Sequence, residues 1–257
     1  MTTAAIGPRS CYPGQRVFDI AAAAAALLLT LPLSLLALAA VWLSDGGNPL
    51  YVSERVGWHG QQFRFLKIRT MVSQASVSAV DTTVAGDPRV TAVGRWVRAL
   101  KLDELPQLLH VLSGRMSMVG PRPNVRREVA LYTAAERDLL TVRPGITDIA
   151  SIVFADLADA LGGVTDPNIA YNQLVRPWKS RLALHYLHCV TLGNDVRIIC
   201  YTVTAMVARR YTLRRLSGLL HRTGAPEDLC RFVLREQPLR PTPPPGSETI
   251  VTSRVPE

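Results

Sequence analysis

Between Ile20 and Leu43 the chain carries almost nothing that water would solvate: only Thr30, Pro32 and Ser34 interrupt a run of Ala, Leu, Ile, Val and Trp. As a helix rising about 1.5 Å per residue, such a run is long enough to cross a ~30 Å hydrocarbon layer. The chain must therefore meet a membrane. A cleaved leader is the first competitor, because Ala37-Leu38-Ala39 resembles a processing site and Arg9 and Arg16 supply a positive start. The stretch is longer than the apolar core of an ordinary leader, however, and Asp19 stands directly before it. A spanning anchor is the second competitor. Arg9 and Arg16 precede the run, while Arg55, Arg64, Lys67 and Arg69 follow it, so charge gives no orientation. Both ends on one face would give the same pattern. Pro32 removes a backbone hydrogen bond near the middle and favours a bend there, so the residues alone leave a spanning and a re-entrant helix both open.

The remainder reads as a folded domain. Apolar residues make up 48% of the 257, ample for a core, and 29 Lys and Arg against 20 Asp and Glu give a net charge of +9. That excess suits a polyanion: nucleic acid, nucleotide diphosphate or anionic lipid. Most of the cations are arginines, whose fork pairs with phosphate at two points. Cys11, Cys189, Cys200 and Cys230 show no metal-binding or disulfide spacing, and His185 and His188 lack a third ligand, which leaves them as packing or surface residues.

Along the chain, Tyr51 to Ser53 and Gln62 to Phe65 alternate as strands about a turn at Gly57 to Gly60, and a polar loop runs from Ser73 to Pro88. A basic helix is predicted from Val90 to Leu100. Another should start with Asp103 as its cap and stop at Ser113-Gly114, burying Leu105, Leu108, Leu109 and Leu112. Helices are also expected over Trp178 to Tyr186 and Asp195 to Tyr211. The second ends in Arg209, Arg210, Arg214 and Arg215, a basic face suited to anionic headgroups or to plain solvation. The proline-rich tail after Gln237 is expected to be disordered.

The densest chemistry lies in GDPRVTAVGRWVRALKLDELPQLLHVLSGRMSMVGPRP, residues 86–123. Asp103 and Glu104 stand together at a helix start, with Arg89, Arg95, Arg98 and Lys101 before them and Arg115 and Arg122 after. A carboxylate at a helix N-terminus is held ionised by the dipole and free N–H groups, which predicts a low pKa and a usable nucleophile. An isolated Asp-Glu pair would more simply be a cap and a surface acid.

This stretch resembles the signature of the bacterial sugar transferases, the monotopic phosphoglycosyl transferases. The likeness rests on LDELPQL at Leu102 to Leu108, M-x-x-VGPRP at Met116 to Pro123, and F-x-x-x-K-x-R-T-M at Phe63 to Met71. It continues through RPGIT at Arg143 to Thr147, Y-x-x-x-x-x-P-x-K at Tyr171 to Lys179 and the Asp195 to Ile199 helix, covering about Arg16 to Met206.

The resemblance implies an enzyme that moves a sugar-1-phosphate from a UDP-sugar to polyprenyl phosphate, releasing UMP, as the first membrane step of exopolysaccharide or lipopolysaccharide assembly. It implies Asp103 as covalent nucleophile, Glu104 as ligand of a Mg²⁺ cofactor, and Lys67, Arg98 and Arg122 around the substrate phosphates. It further implies a re-entrant helix broken at Pro32, with Arg16 and Asp19 where that helix begins, on the cytoplasmic face of the bacterial inner membrane. Partners would be the two substrates, the membrane and downstream glycosyltransferases, with no nucleic acid. Two departures stand out: Leu31 replaces the serine usual before the breaking proline, and Asp148-Ile149-Ala150-Ser151 replaces the usual Gly-Trp-Ala-Gln, so the sugar pocket need not follow the family.

The expected fold is α/β, mainly helical, with interfacial amphipathic helices and a small β element. The expected divisions are a leader over 1–15, a re-entrant helix over 16–44, a catalytic domain over 45–215, a basic segment over 216–236 and a disordered tail over 237–257. The alternative function is a non-catalytic, basic, membrane-tethered binding or scaffold protein, which would have no need of the acidic pair.

Overall fold

The computed structural model describes residues 11–72 and 83–253. Most of the expected leader, including Arg9, most of the polar loop after Met71 and the last four residues lie outside these ranges.

The apolar run forms the core of one long helix, α1 (Gln15–Asp45), with Pro32 inside it. Its buried positions, Asp19, Ala23, Ser34, Ala37 and Val41, follow one another at intervals of four, eleven, three and four residues, which keeps them on one narrow face of mostly small side chains. Leu28, Leu29, Leu35, Leu36 and Leu43 point away and are more than half exposed. Two hydroxyls, one on either side of Pro32, bond back to carbonyls of the preceding turn. Thr30 donates to Ala26 O at 2.7 Å and Ser34 to Thr30 O at 2.9 Å.

Beyond α1 an antiparallel hairpin pairs β1 (Leu50–Val56) with β2 (Gln62–Ile68) in a register that sets Tyr51 opposite Lys67. Helix α2 (Ala92–Ala99) is capped by Thr91, whose hydroxyl accepts the Gly94 N–H at 2.9 Å. Gly94 is required here, because a Cβ would come within 2.1 Å of Thr70 O. A 3-10 turn (Leu102–Gln107) leads into α3 (Leu108–Leu112). The short β3 (Ser117–Val119) then pairs in parallel with β4 (Gly145–Thr147), an association the sequence pattern did not reveal. Between them lie α4 (Arg126–Val129) and a 3-10 turn over Glu136–Thr141. The rest is helical: α5 (Ile149–Val153), α6 (Leu157–Ala160), α7 (Pro167–Ala170), a π turn (Tyr171–Val175) running into α8 (Arg176–His188), then α9 (Leu192–Ala205), α10 (Arg209–Arg222) and α11 (Glu227–Phe232). The fold is thus mainly helical with a small sheet component.

Several expectations need correction. The single helix predicted over Asp195 to Tyr211 is two, because the chain leaves helical geometry at Ala208 and Thr212 bonds Ala208 O and Thr204 Oγ1 across the corner. The boundary drawn at 215 falls inside α10. Leu213, Leu216, Leu219 and Leu220 of α10 and Leu229, Cys230 and Val233 beyond it are buried in the same core as Met116, Ile152 and Leu182, so 216–236 is part of the body. The tail expected to be disordered is tied down as far as Val251. Arg181 donates to Pro243 O, Thr133 to Pro245 O and Gln173 to Val251 O, at 2.9, 2.5 and 2.8 Å. Proline gives no N–H, but its carbonyl accepts as well as any other. All four cysteines are free, and His185 hydrogen-bonds Thr223 at 2.8 Å, a packing role.

Candidate active site

The site is assembled from β2, α2, the 3-10 turn and the loop after β3. Phe65 and Ile68 of β2 are buried while Lys67 faces a cavity of about 1460 Å³. The 3-10 turn is pinned to this strand through α3, since Leu66 N–H donates to His110 Nε2 at 3.1 Å and His110 stacks on Phe65. Burial depresses the His110 pKa, which keeps the imidazole neutral and able to accept. Gly145 sits so close to Gly120 that a Cβ there would lie 2.1 Å from Gly120 N, and this contact brings the Arg122 loop over the cavity.

These constraints bring four of the expected residues together. Lys67 Nζ lies 3.6 Å from Asp103 Oδ2 and 3.5 Å from Glu104 Oε1. Arg122 reaches the same Glu104 oxygen at 2.5 Å and is itself fixed by a bond to Ile146 O at 2.9 Å. Arg98 lines the same cavity but is held by Thr70, its Nε donating to Thr70 Oγ1 at 2.7 Å. Pro32 is distant from this chemistry in role, lying on the outward part of α1.

Asp103 is not the helix cap that its sequence position suggested. Lys101 occupies that place in left-handed geometry, φ 56°, and Asp103 lies within the 3-10 turn without a capping bond. Glu104 N–H bonds Lys101 O three residues back, and Pro106 has no N–H to carry an α pattern to Leu102. The expected low pKa is reversed accordingly. Burial pushes the Asp103 carboxyl up, with Lys67 opposing. The strongly acidic group is Glu104: burial would raise it, but Arg122 and Lys67 outweigh that and hold it at about 2.

Among the described residues no set of three His, Cys, Asp or Glu side chains is placed to enclose a metal ion. A cation bound by one or two carboxylates and completed by substrate phosphates needs no such set. Glu104 fits that role, because its ion pairs both use Oε1.

The family described as bacterial sugar transferase matches residues 11–209, which include every residue of this cluster. The chain belongs to the bacterial sugar transferase family. Among curated relatives, the exopolysaccharide production protein ExoY of Sinorhizobium fredii is 42% identical over 213 residues, spanning 76% of this chain and 86% of that protein. The UDP-glucose:undecaprenyl-phosphate glucose-1-phosphate transferase of Caulobacter vibrioides is 36% identical over 198 residues, 75% of this chain and 69% of its own length. The undecaprenyl-phosphate galactose phosphotransferase of Salmonella typhimurium is 33% identical over 213 residues, 76% of this chain and 40% of its own. The latter two names attach different sugars to one acceptor.

Three cations of this transferase cavity were not singled out from the sequence, Arg176 among them, which is paired with Glu136. Arg55 of β1 and Lys179 of α8 both line it. Lys179 stood within the quoted Y-x-x-x-x-x-P-x-K element, so its presence was visible but its position was not. Asp148, in the stretch that departs from the family pattern, caps α5 by accepting Ser151 N–H at 2.5 Å.

Proposed function

We propose that this protein transfers a sugar-1-phosphate from a UDP-sugar to polyprenyl phosphate through a covalent phosphosugar on Asp103. The observation that carries this reading is the Asp103, Lys67, Glu104 and Arg122 cluster on a large cavity beside an exposed apolar helix. Asp103 is 7% exposed, so its carboxylate is poorly solvated, which favours attack on phosphorus over hydration. One Asp103 oxygen bonds the sugar-side phosphorus while the bond between the two phosphates breaks, its electron pair leaving with UMP. An oxygen of polyprenyl phosphate then attacks the same phosphorus, the acyl phosphate bond breaks, and Asp103 returns to a carboxylate. Lys67 and Arg122 offset the repulsion between carboxylate and phosphate, and Arg98 offers a further cation in the same cavity. Mg²⁺ held by Glu104 and the donor phosphates would supply charge neutralisation when bound.

The membrane reading is supported by how α1 is tied. Near its start, Arg16 donates to Val111 O and Leu112 O at 2.5 and 2.7 Å, and Asp19 accepts from Ser117 and Met118 N–H, both at 2.9 Å. At its other end Asp45 pairs with Arg69 at 2.5 Å. One body holds both ends, which favours a re-entrant helix on the cytoplasmic face, where nucleotide sugars are made. Exposed Val203, Met206, Val207 and Tyr211, beside exposed Arg210 and Arg214, suit an interfacial position for the α9–α10 corner.

The test is a UMP-release assay over a panel of UDP-sugars with polyprenyl phosphate, using Asp103→Asn as control. Turnover by the wild type alone supports the reading. Release of no UMP from any donor would favour the scaffold alternative.

A further inference from the structure

Most acids that line the cavity have partners. Asp103 and Glu104 lie against Lys67, Glu104 also against Arg122, and Asp87 is paired with Arg89 at 2.6 Å. Glu128 has a partner too, and Asp159 is exposed. Asp148 differs. It lines the same cavity and is only 7% exposed, yet among the described residues it makes no ion pair. Arg122 and Lys179 feel its charge, both from beyond ion-pair distance. Its Oδ1 accepts Ser151 N–H at 2.5 Å, while its Oδ2 has no hydrogen-bond partner among the described residues.

The wall around Asp148 is held from both sides. Gly120 N–H bonds Thr147 O at 3.0 Å, which fixes the backbone just before it, and the capping box with Ser151 fixes it just after. Every hydroxyl proton here has an acceptor. Thr147 Oγ1 lies 2.5 Å from Thr202 Oγ1, Thr202 donates to Ile198 O at 2.9 Å, and Ser151 Oγ donates to Asp148 O at 2.8 Å. The hydroxyls are thus spent on one another and on the backbone, and Asp148 Oδ2 is left as the free acceptor of this wall.

Its place relative to the chemistry follows from Arg122. One guanidinium nitrogen of Arg122 bonds Glu104 Oε1 at 2.5 Å and the other bonds Ile146 O at 2.9 Å. Asp148 stands two residues on from that carbonyl, a span of roughly 7 Å in extended chain. A phosphate oxygen against Oδ2 would be repelled, since no cation is in contact with Asp148 to offset it. Polyprenyl phosphate carries no hydroxyl. What suits this oxygen is a neutral hydroxyl on the part of a nucleotide sugar that is joined directly to the phosphorus under attack.

We propose that Asp148 is a specificity-determining residue for the donor sugar, its Oδ2 accepting a hydrogen bond from one sugar hydroxyl. This rests on the transferase reading above. A carboxylate fixed in this way selects among sugars that differ in the place or orientation of a hydroxyl, because a donor lacking that hydroxyl leaves Oδ2 unpaired against the ring. Asp148 opens the Asp148-Ile149-Ala150-Ser151 stretch, where this chain leaves the family pattern, so the contact lies outside the shared motifs.

Equilibrium binding of UDP, UDP-glucose, UDP-galactose and UDP-N-acetylgalactosamine to the full-length protein in detergent tests this without turnover. Asn and Ser both cap a helix, so Asp148→Asn and Asp148→Ser keep the start of α5 while removing the charged acceptor. Both should weaken the tightest-binding UDP-sugar about tenfold, the worth of one hydrogen bond to a charged group, and leave UDP bound as tightly as before or more so. Loosening of α5 alone would weaken UDP as well. Among UDP-sugars each lacking one sugar hydroxyl, one should bind the wild type about tenfold more weakly than its parent and lose nothing further in Asp148→Asn. Unchanged UDP-sugar affinity in both variants, equal weakening of UDP, or a further loss with every analogue in Asp148→Asn would each overturn the assignment. Absence of UMP release from every UDP-sugar would instead sink the transferase reading.

Discussion

The Lys67 ammonium lies 3.6 Å from the Asp103 carboxylate, inside a cavity wall where both side chains are mostly withdrawn from water. Lys67 thus opposes the upward push of burial on this carboxyl while lying against only one of its oxygens. A carboxylate in that condition is a usable nucleophile. Asp103→Asn should lower turnover by roughly four orders of magnitude and leave the melting temperature near that of the wild type. Intact-protein mass spectrometry of the wild type with UDP-sugar alone should show a phosphosugar adduct on Asp103; substantial activity in the Asn variant would end the covalent scheme.

Glu104 is held ionised by Arg122 and Lys67. Activity is expected to vanish with chelator and return with Mg²⁺. Glu104→Gln should raise the Mg²⁺ concentration for half-maximal rate by about tenfold or more, or abolish turnover. Full activity in excess chelator would exclude the metal role.

Asp19 is a matter of stability. Its carboxylate is 2% exposed and accepts from both Ser117 and Met118. Asp19→Ala strands two buried donors and should cost about 1–3 kcal/mol, or a fall of roughly 2–12 °C in melting temperature for a chain of this size. Asp19→Asn keeps an acceptor oxygen and should lose less. A thermal-shift series in detergent would decide it, and equal melting temperatures for Ala and wild type would mean these bonds contribute nothing net.

Lys179 gives a pH dependence. Burial lowers its pKa to about 8, with Asp148 and Glu104 opposing. The ammonium is therefore present below that pH and lost above it, so the attraction of the cavity for an anionic nucleotide such as UMP should fall as pH rises through about 8. Arginine stays charged throughout, and Lys179→Arg should be flat over the same interval. Titration calorimetry on both sides of pH 8 measures this; identical profiles for the two proteins would show that Lys179 does not set the dependence.

The tie of both α1 ends to one body gives a topology prediction. In a cysteine-free background, single cysteines near Thr3 and near Ser73 should both resist an impermeant thiol reagent in intact cells and both react after lysis. Reaction of the Thr3 site in intact cells would establish a spanning anchor, whatever the enzymology.

The grouping of Lys67, Asp103, Glu104 and Arg122 was legible only through the likeness of their short motifs to those of the bacterial sugar transferases; by themselves Asp103 and Glu104 read as a cap and a surface acid. The conformation at Asp103 was not. Aspartate before an apolar run signals a cap, but Lys101 in left-handed geometry and Pro106 without an N–H tightened the turn and moved the acid inward. The hairpin was legible from alternation about Gly57 to Gly60, whereas β3 and β4, three residues each, are too short to carry a period and pair only because Gly120 and Gly145 meet. Arg55 and Lys179 come from opposite ends of the domain, and no local pattern brings them to one cavity. Proline content suggested a loose tail because composition reports missing donors and is silent on carbonyls that Arg181 and Thr133 reach across the fold.

The family match ends at residue 209, yet Phe232 of α11 lies flat on Trp178 with ring centroids 3.9 Å apart, and Arg235 sits over Phe154, the ring that also faces Lys179. A graft of residues 11–209 into a chimera would therefore carry the family motifs but leave the Phe154 side of the cavity without its backing. Substitutions at Trp178 or Phe154 would therefore be felt by side chains that lie beyond the matched range.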